Sequence, residues 1–316
     1  MTASPRLSAA LVSYAAEPPD NWNTMLETAR LYDRAGIDRV VLSDHVVFGE
    51  QLDAYGRPEV GGQRGGRQPT GPDGHWLEPM TTLSVIAGMT ERVRLGTGIL
   101  LAALRRPVVL AKSATTLDVL SGGRVDLGVG VGWQREEYEA AGLDFDHRGR
   151  LLDHTLEVCT ALWTQTVAHY ESPELGFERI HMMPKPLQSG GVPIWVSGTV
   201  NARVVDRLCR FGLRWIPWGD DAAELERAVA EMRSRIAAAG VAPDGLQVVA
   251  NLRVFKTDEG TIDAERTIAE AVRLVGAGAT DLLSRLPVRE PNAETEADVR
   301  KFVGAFRAAT GRSAGG

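Results

Sequence analysis

Four short stretches hold the residue types that chemistry needs. Ser43-Asp44-His45 follows directly on the apolar run Val40-Val41-Leu42. A carboxylate can hold a ring N–H, and an imidazole can give or take a proton near neutral pH. A cap followed by a structural histidine explains the same triplet equally well. Arg94-Leu95-Gly96-Thr97-Gly98-Ile99 ends in glycine, which permits a bulge or the close approach of a flat ligand to the backbone. Leu127-Gly128-Val129-Gly130-Val131-Gly132-Trp133 looks like a phosphate loop, yet its G-x-G-x-G spacing is not the dinucleotide fingerprint. Its glycines serve strand packing as readily, and Trp133 suits either rim packing or a cofactor wall. Ser197-Gly198-Thr199 precedes a helical segment, so its hydroxyls and the helix-end N–H groups make an anion site or an ordinary N-cap.

The elements that must position these stretches alternate in type. Apolar β-type runs fall at Arg6–Ser13, Arg39–Ser43, Val93–Gly98, Val125–Gly130, Ile194–Ser197, Arg214–Pro217, within Leu246–Phe255, and at Thr280–Arg285. Segments of helical period lie between them. One places Trp22, Met25, Leu26, Ala29 and Tyr32 on a single stripe before Gly36, a suitable C-cap. Eight strands, each followed by a helix, predict a single α/β domain over 1–316, a closed (β/α)8 TIM barrel with its active site at the C-terminal ends of the strands. A doubly wound open sheet is the rival, but about six strands suffice for it. Two long loops interrupt the rhythm, at 49–76 and 165–191, and are expected to act as lid and rim. The tail from Thr310 is expected to fray.

Bulk composition narrows the function. The 316 residues carry a formal net charge of -6 and no basic run, which sets nucleic acid aside. Cys159 and Cys209 lie among apolar residues without a CxxC or metal spacing, so buried free thiols and a cytoplasmic location are expected. Neither an apolar leader nor a run long enough to cross a membrane is present in the sequence. The six histidines lack HExxH spacing and no GxSxG elbow occurs, so no metal site is predicted. Metal-dependent hydrolysis on a barrel stays a rival without a ligand pattern.

The sequence resembles the bacterial luciferase-like oxidoreductases, and within them the subgroup that uses the deazaflavin coenzyme F420. The most specific stretch is PVVLAKSATTLDVLSGGRVDLGVGVGW (Pro107–Trp133), continued by Gln134 and Arg135-Glu136-Glu137. VVLSDHVVF, TERVRLGTGIL and PKPLQSGGVPIWVSG extend the likeness in order from Leu7 to Trp218, whereas the C-terminal third matches only in barrel pattern. The resemblance implies that Asp44 and His45 lie beside the cofactor ring. It implies that Gly98-Ile99, next to Thr97, forms a bulge with a non-prolyl cis peptide behind that ring. It places Gly132, Trp133 and Glu136 on the cofactor-lining turn, and Ser197, Gly198 and Thr199 on the phosphate-binding turn. Asp44, His45 and Trp133 form the implied catalytic group, with His45 as the acid/base or ring-polarising group. Some deazaflavin relatives have a catalytic glutamate where this chain has Trp133, which argues against a sugar-phosphate dehydrogenase. The implied reaction is hydride transfer between F420 and a small organic substrate, in a homodimer. The alternatives are a monooxygenase using reduced FMN from a separate reductase, and a non-catalytic flavin-binding protein.

Overall fold

A computed structural model of the chain describes residues 4–311. Eight parallel strands close a barrel: β1 (Arg6–Ala10), β2 (Arg39–Leu42), β3 (Arg94–Thr97), β4 (Val125–Val129), β5 (Ile194–Gly198), β6 (Arg214–Pro217), β7 (Gln247–Leu252) and β8 (Asp281–Ser284). The order round the barrel is β1-β8-β7-β6-β5-β4-β3-β2, closed where Arg6 pairs with Asp281 and Ser8 with Arg39. All residues of β2 and β4 are buried, as strands between a filled interior and an outer ring of helices must be. Charges lock the N-terminal end. Arg39 pairs with Asp281 at 2.7 Å, Arg94 with Asp126 at 2.7 Å, and the Ser8 hydroxyl donates to Asp281 at 2.7 Å. The face opposite the strand C-termini is thus spent on holding the barrel together.

The helices of the outer ring are α1 (Asn23–Ala35), α2 (Pro79–Ala87), α3 (Pro107–Leu120), α4 (Arg135–Ala140), α5 (Arg148–Thr164), α6 (Ala202–Phe211), α7 (Asp220–Ala223), α8 (Leu225–Ala238), α9 (Ala264–Gly276) and α10 (Ala293–Thr310). Gly36 caps α1 with φ 90°, its N–H reaching Tyr32 O, a conformation that favours glycine. Proline opens α2 and α3, where its missing N–H costs nothing. α10 returns to α1 through Arg34–Glu296 at 2.7 Å, so the chain's ends close the ring. No helix among the described residues is long and apolar enough to cross a membrane. Both cysteines are free thiols, and burial pushes Cys159 up to about 12.

The two long loops differ in place. Residues 49–76 leave the C-terminal end of β2 as two 3-10 turns and finish in the strand His75–Trp76, which pairs antiparallel with Tyr14–Ala15. The first strand therefore ends at Ala10, and the Ser13 end of the expected run belongs to this lid-side ribbon. Residues 165–191 hold the antiparallel hairpin Ala168–Glu171 and Gly176–Ile180. They follow a helix and lie at the other end of the barrel. Gln188 Nε2 donates to the carbonyl of Val125, the first residue of β4, at 2.7 Å. This loop brings nothing to the mouth, so the rim role expected of it is corrected. α10 runs through Thr310, and 312–316 lie outside the described residues.

Candidate active site and cofactor cleft

A cleft of about 920 Å³ opens at the C-terminal ends of the strands, beneath the 49–76 lid. Asp44, His45, Gly98, Ile99, Gly132, Trp133, Ser197, Gly198 and Thr199 all line it. Parallel strands explain the gathering, since residues far apart in sequence leave the barrel on one face. The Gly98–Ile99 peptide is cis. Beyond it the chain re-enters the sheet, with Leu100 N–H bonded to Gly128 O at 2.7 Å. A side chain on Gly130 would meet Ile99 Cδ1 at 2.8 Å, so the glycine leaves room for the bulge.

His45 is held by Glu137, which no signal in the sequence singles out from Glu136. Its Nδ1 lies 3.3 Å from Glu137 Oε2, while Glu137 Oε1 accepts the Val46 N–H at 2.8 Å. With the carboxylate accepting, Nδ1 carries the proton and Nε2 is left without a protein partner among the described residues. The imidazole sits against Phe48, Trp76 and Trp133, at centroid distances of 4.4, 4.9 and 5.9 Å. Glu136, the neighbour expected at the cofactor, does not line the cleft. Its side chain lies on Gly49, where an added Cβ would be 2.3 Å from Glu136 Cγ. α4 is six residues long, too short for a period that would separate an inward from an outward glutamate.

Two further expectations change in role. The Asp44 side chain is fully buried and its carboxylate is engaged throughout. Oδ2 accepts from Leu101 N–H at 2.8 Å and Arg105 Nη1 at 2.6 Å, and Oδ1 from Arg105 Nη2 at 3.1 Å. Asp44 therefore fixes the loop after β3, with most of its accepting capacity turned away from the cleft. Thr97 is turned into the sheet, donating to Gly128 O at 2.7 Å, and stays out of the cleft lining.

The anion site also differs from a bare helix end. Asn201 Oδ1 takes the Arg203 and Val204 N–H groups of α6, at 3.0 and 3.1 Å. Val200 N–H goes to Asp221 Oδ2 at 2.6 Å. Four arginines from the segments after β4, β5 and β6 also line the cleft: Arg148, Arg203, Arg207 and Arg227. Arg148 stacks on Phe145 at 3.8 Å and donates to the Phe145 and Val60 carbonyls, yet its Nε is buried without a partner. Burial, helped by the positive charge of Arg135 and Arg203, holds Arg148 below the usual arginine value, the direction an anion would reverse. In all, seven arginines and four aspartates line the cleft, a formal excess of three positive charges in a chain of net charge -6. Arginines scattered from 64 to 285 show no spacing, so only the fold reveals this cluster.

Aromatic residues from separate segments complete the cover. Trp218, after β6, donates from Nε1 to the Gly61 and Gly62 carbonyls of the lid at 3.1 and 3.2 Å. Tyr55 lies between Trp133 and Trp218, at 5.4 and 6.4 Å.

The profile of the luciferase-like monooxygenase family matches residues 1–312. The chain belongs to that family. An uncharacterised protein of Mycobacterium tuberculosis is 32% identical over 214 residues, 67% of this chain and 71% of that protein. The oxygenase component of the flavin-dependent trigonelline monooxygenase of Acinetobacter baylyi is 33% identical over 121 residues, 38% of this chain and 33% of that protein. Among solved structures, an F420-dependent secondary alcohol dehydrogenase in complex with an F420-acetone adduct superposes with a TM-score of 0.72. It is 16% identical and the match covers 96% of this chain and 100% of that one, a likeness of fold. The luciferase-like barrel and the expected family are thus both found.

Proposed function

We propose that this chain is an F420-dependent oxidoreductase acting on a small organic substrate. The observation that supports it most is the positive cleft in an acidic protein, with a buried guanidinium nitrogen, Arg148 Nε, still lacking an acceptor. A ligand with a flat ring and several anionic groups fits a cleft with a glycine-lined bulge at one point and arginines spread along it. Gly98, Ile99 and Trp133 would hold the ring, and Ser197, Thr199, Arg148 and Arg203 the phosphate. When bound, the deazaflavin supplies hydride acceptance or donation at C5.

The chain's own residues supply the rest. Glu137 orients His45 so that Nε2 takes or returns a proton in the cleft. Asp44 and Arg105 keep the loop behind the ring in place. Tyr55 of the lid, with Trp133 and Trp218 beneath it, excludes water, which strengthens each charge interaction inside.

A second reading is favoured by the likeness to the oxygenase component of the flavin-dependent trigonelline monooxygenase. In that reading the cleft takes reduced FMN from a separate reductase, and one phosphate suffices for the arginines that follow β4 and β5. Fluorescence titration of the purified protein with F420 and FMN, oxidised and reduced, separates the two. Tighter F420 binding is expected. Saturable binding of FMN alone, with oxygen-dependent product formation, replaces the proposal by the monooxygenase reading.

A further inference from the structure

Most arginines of the cleft follow β4 to β6, while Arg285 stands across the mouth from them. β1 and β5 are four places apart in the ring of eight, hence diametrically opposed. Arg148, Arg203, Arg207 and Arg227 belong to the side near the end of β5, and the proposed cofactor phosphate accounts for them. Arg285 directly follows β8, beside β1, and Arg67 reaches the cleft from the lid. Arg64, Arg207 and Arg227 have carboxylate partners in Asp220, Asp153 and Asp221. Neither Arg67 nor Arg285 has one among the described residues.

The wall beside Arg285 is aromatic and fixed. Tyr14 and Trp76 are cross-strand partners, and their rings stack at 4.4 Å and 23°. Trp76 Nε1 is satisfied by Thr70 Oγ1 at 3.0 Å. The edge-on contact of Trp76 with His45, at 4.9 Å, joins this wall to the candidate acid/base. Arg285 lies 6.0 Å from the Tyr14 ring centroid, at the far end of the same wall. A ligand whose reacting atom is at His45 and whose flat body lies along Trp76 and Tyr14 brings its other end to a guanidinium.

We propose that Tyr14, Trp76, Arg67 and Arg285 form a substrate subsite for an aromatic or similarly flat monoanion, a carboxylate above all. The inference rests on the redox reading only in assigning the anion to a substrate. A carboxylate on the deazaflavin's glutamyl tail has the same chemistry, but the continuity of the wall with His45 favours the substrate. Guanidinium holds carboxylate in a planar, two-bond geometry that ammonium does not reproduce.

The test uses the full-length protein and sodium benzoate, with benzamide as the neutral isostere, titrated by calorimetry without cofactor and with F420 or FMN present. Benzoate is expected to bind saturably and more tightly than benzamide. Arg285→Leu is expected to weaken benzoate roughly tenfold or more, the size of a lost hydrogen bond to a charged group. It should leave benzamide and F420 affinity unchanged. Arg67→Ala should weaken benzoate in the same direction and Arg285→Lys only in part. Absence of saturable benzoate binding, equal affinity for benzoate and benzamide, or an unchanged benzoate affinity in both arginine variants overturns the subsite. Loss of F420 affinity in Arg285→Leu, with benzoate unaffected, assigns the arginine to the cofactor tail and overturns it as well. Benzoate recognition that survives while neither cofactor binds rejects the redox reading alone.

Discussion

At the scale of single residues, the site turns on which of two adjacent glutamates faces inward. Glu137 takes both His45 Nδ1 and the Val46 N–H, whereas Glu136 lies on Gly49 outside the cleft. Nitrogen-15 NMR of the neutral His45 ring should report a proton on Nδ1 in the wild-type protein. Glu137→Ala should return the ring to a mixture and Glu136→Ala should not. His45→Ala is expected to lower turnover by about 10²–10⁴-fold, the usual worth of an acid–base group, with little change in melting temperature. Unchanged turnover with a large drop in melting temperature would make the histidine structural. Asp44 belongs to the opposite category. Asp44→Asn leaves Arg105 short of its main partner, so a stability loss of about 3 kcal/mol is expected in denaturant unfolding. Asp44-His45 was legible as a polar pair at a strand end. The division of labour between them was not, because Arg105 comes from the loop after β3 and Glu137 from α4.

At the scale of elements, one aspartate ties α1 to the entry of β3. Burial pushes the Asp33 carboxyl up, but N–H bonds from Val93, Glu91 and Arg92 outweigh it and hold the group below its ordinary value of 3.8. A folded value below the unfolded one adds stability that is present above 3.8 and lost as pH falls through the folded value. Asp33→Asn should therefore cost about 1–2 kcal/mol at neutral pH. Denaturant unfolding at a series of acid pH values should show the gap to wild type closing below 3.8. The lid is tied by weaker means. Trp218→Phe removes the N–H bonds to Gly61 and Gly62, so trypsin should cut after Arg64 or Arg67 several-fold faster, with the melting temperature nearly unchanged. An equal cleavage rate would show that the packing of Tyr55 holds the lid without these bonds. The length and irregularity of the 165–191 loop suggest a rim. A loop that follows a helix returns to the start of the next strand, and that order placed it at the closed end.

At the scale of the whole molecule, charge is unevenly spread. The chain is acidic overall while the cleft carries a positive excess, which focuses the field on one opening. Affinity for a phosphate-bearing cofactor should fall several-fold as salt is raised, because charges at an open mouth are screened. The ring system without its phosphate should bind with little salt dependence, and equal salt slopes for the two would place the phosphate away from the arginines. By itself the sequence determined the barrel, since eight apolar runs alternating with helical stripes leave few other ways to bury both strand faces. It also determined the strand-end residues that line the mouth, because parallel strands send their C-terminal ends to one face; Gly98 only permitted a bulge, whose place the family resemblance implied. Only the tertiary structure decided the partners: Glu137 for His45, Arg105 for Asp44, and Asn201 and Asp221 for the amides around α6. It alone collected the seven arginines. The physical reason is range. Periodicity reports which face of an element is buried, while a hydrogen bond or a shared field depends on distances between elements that carry no spacing along the chain.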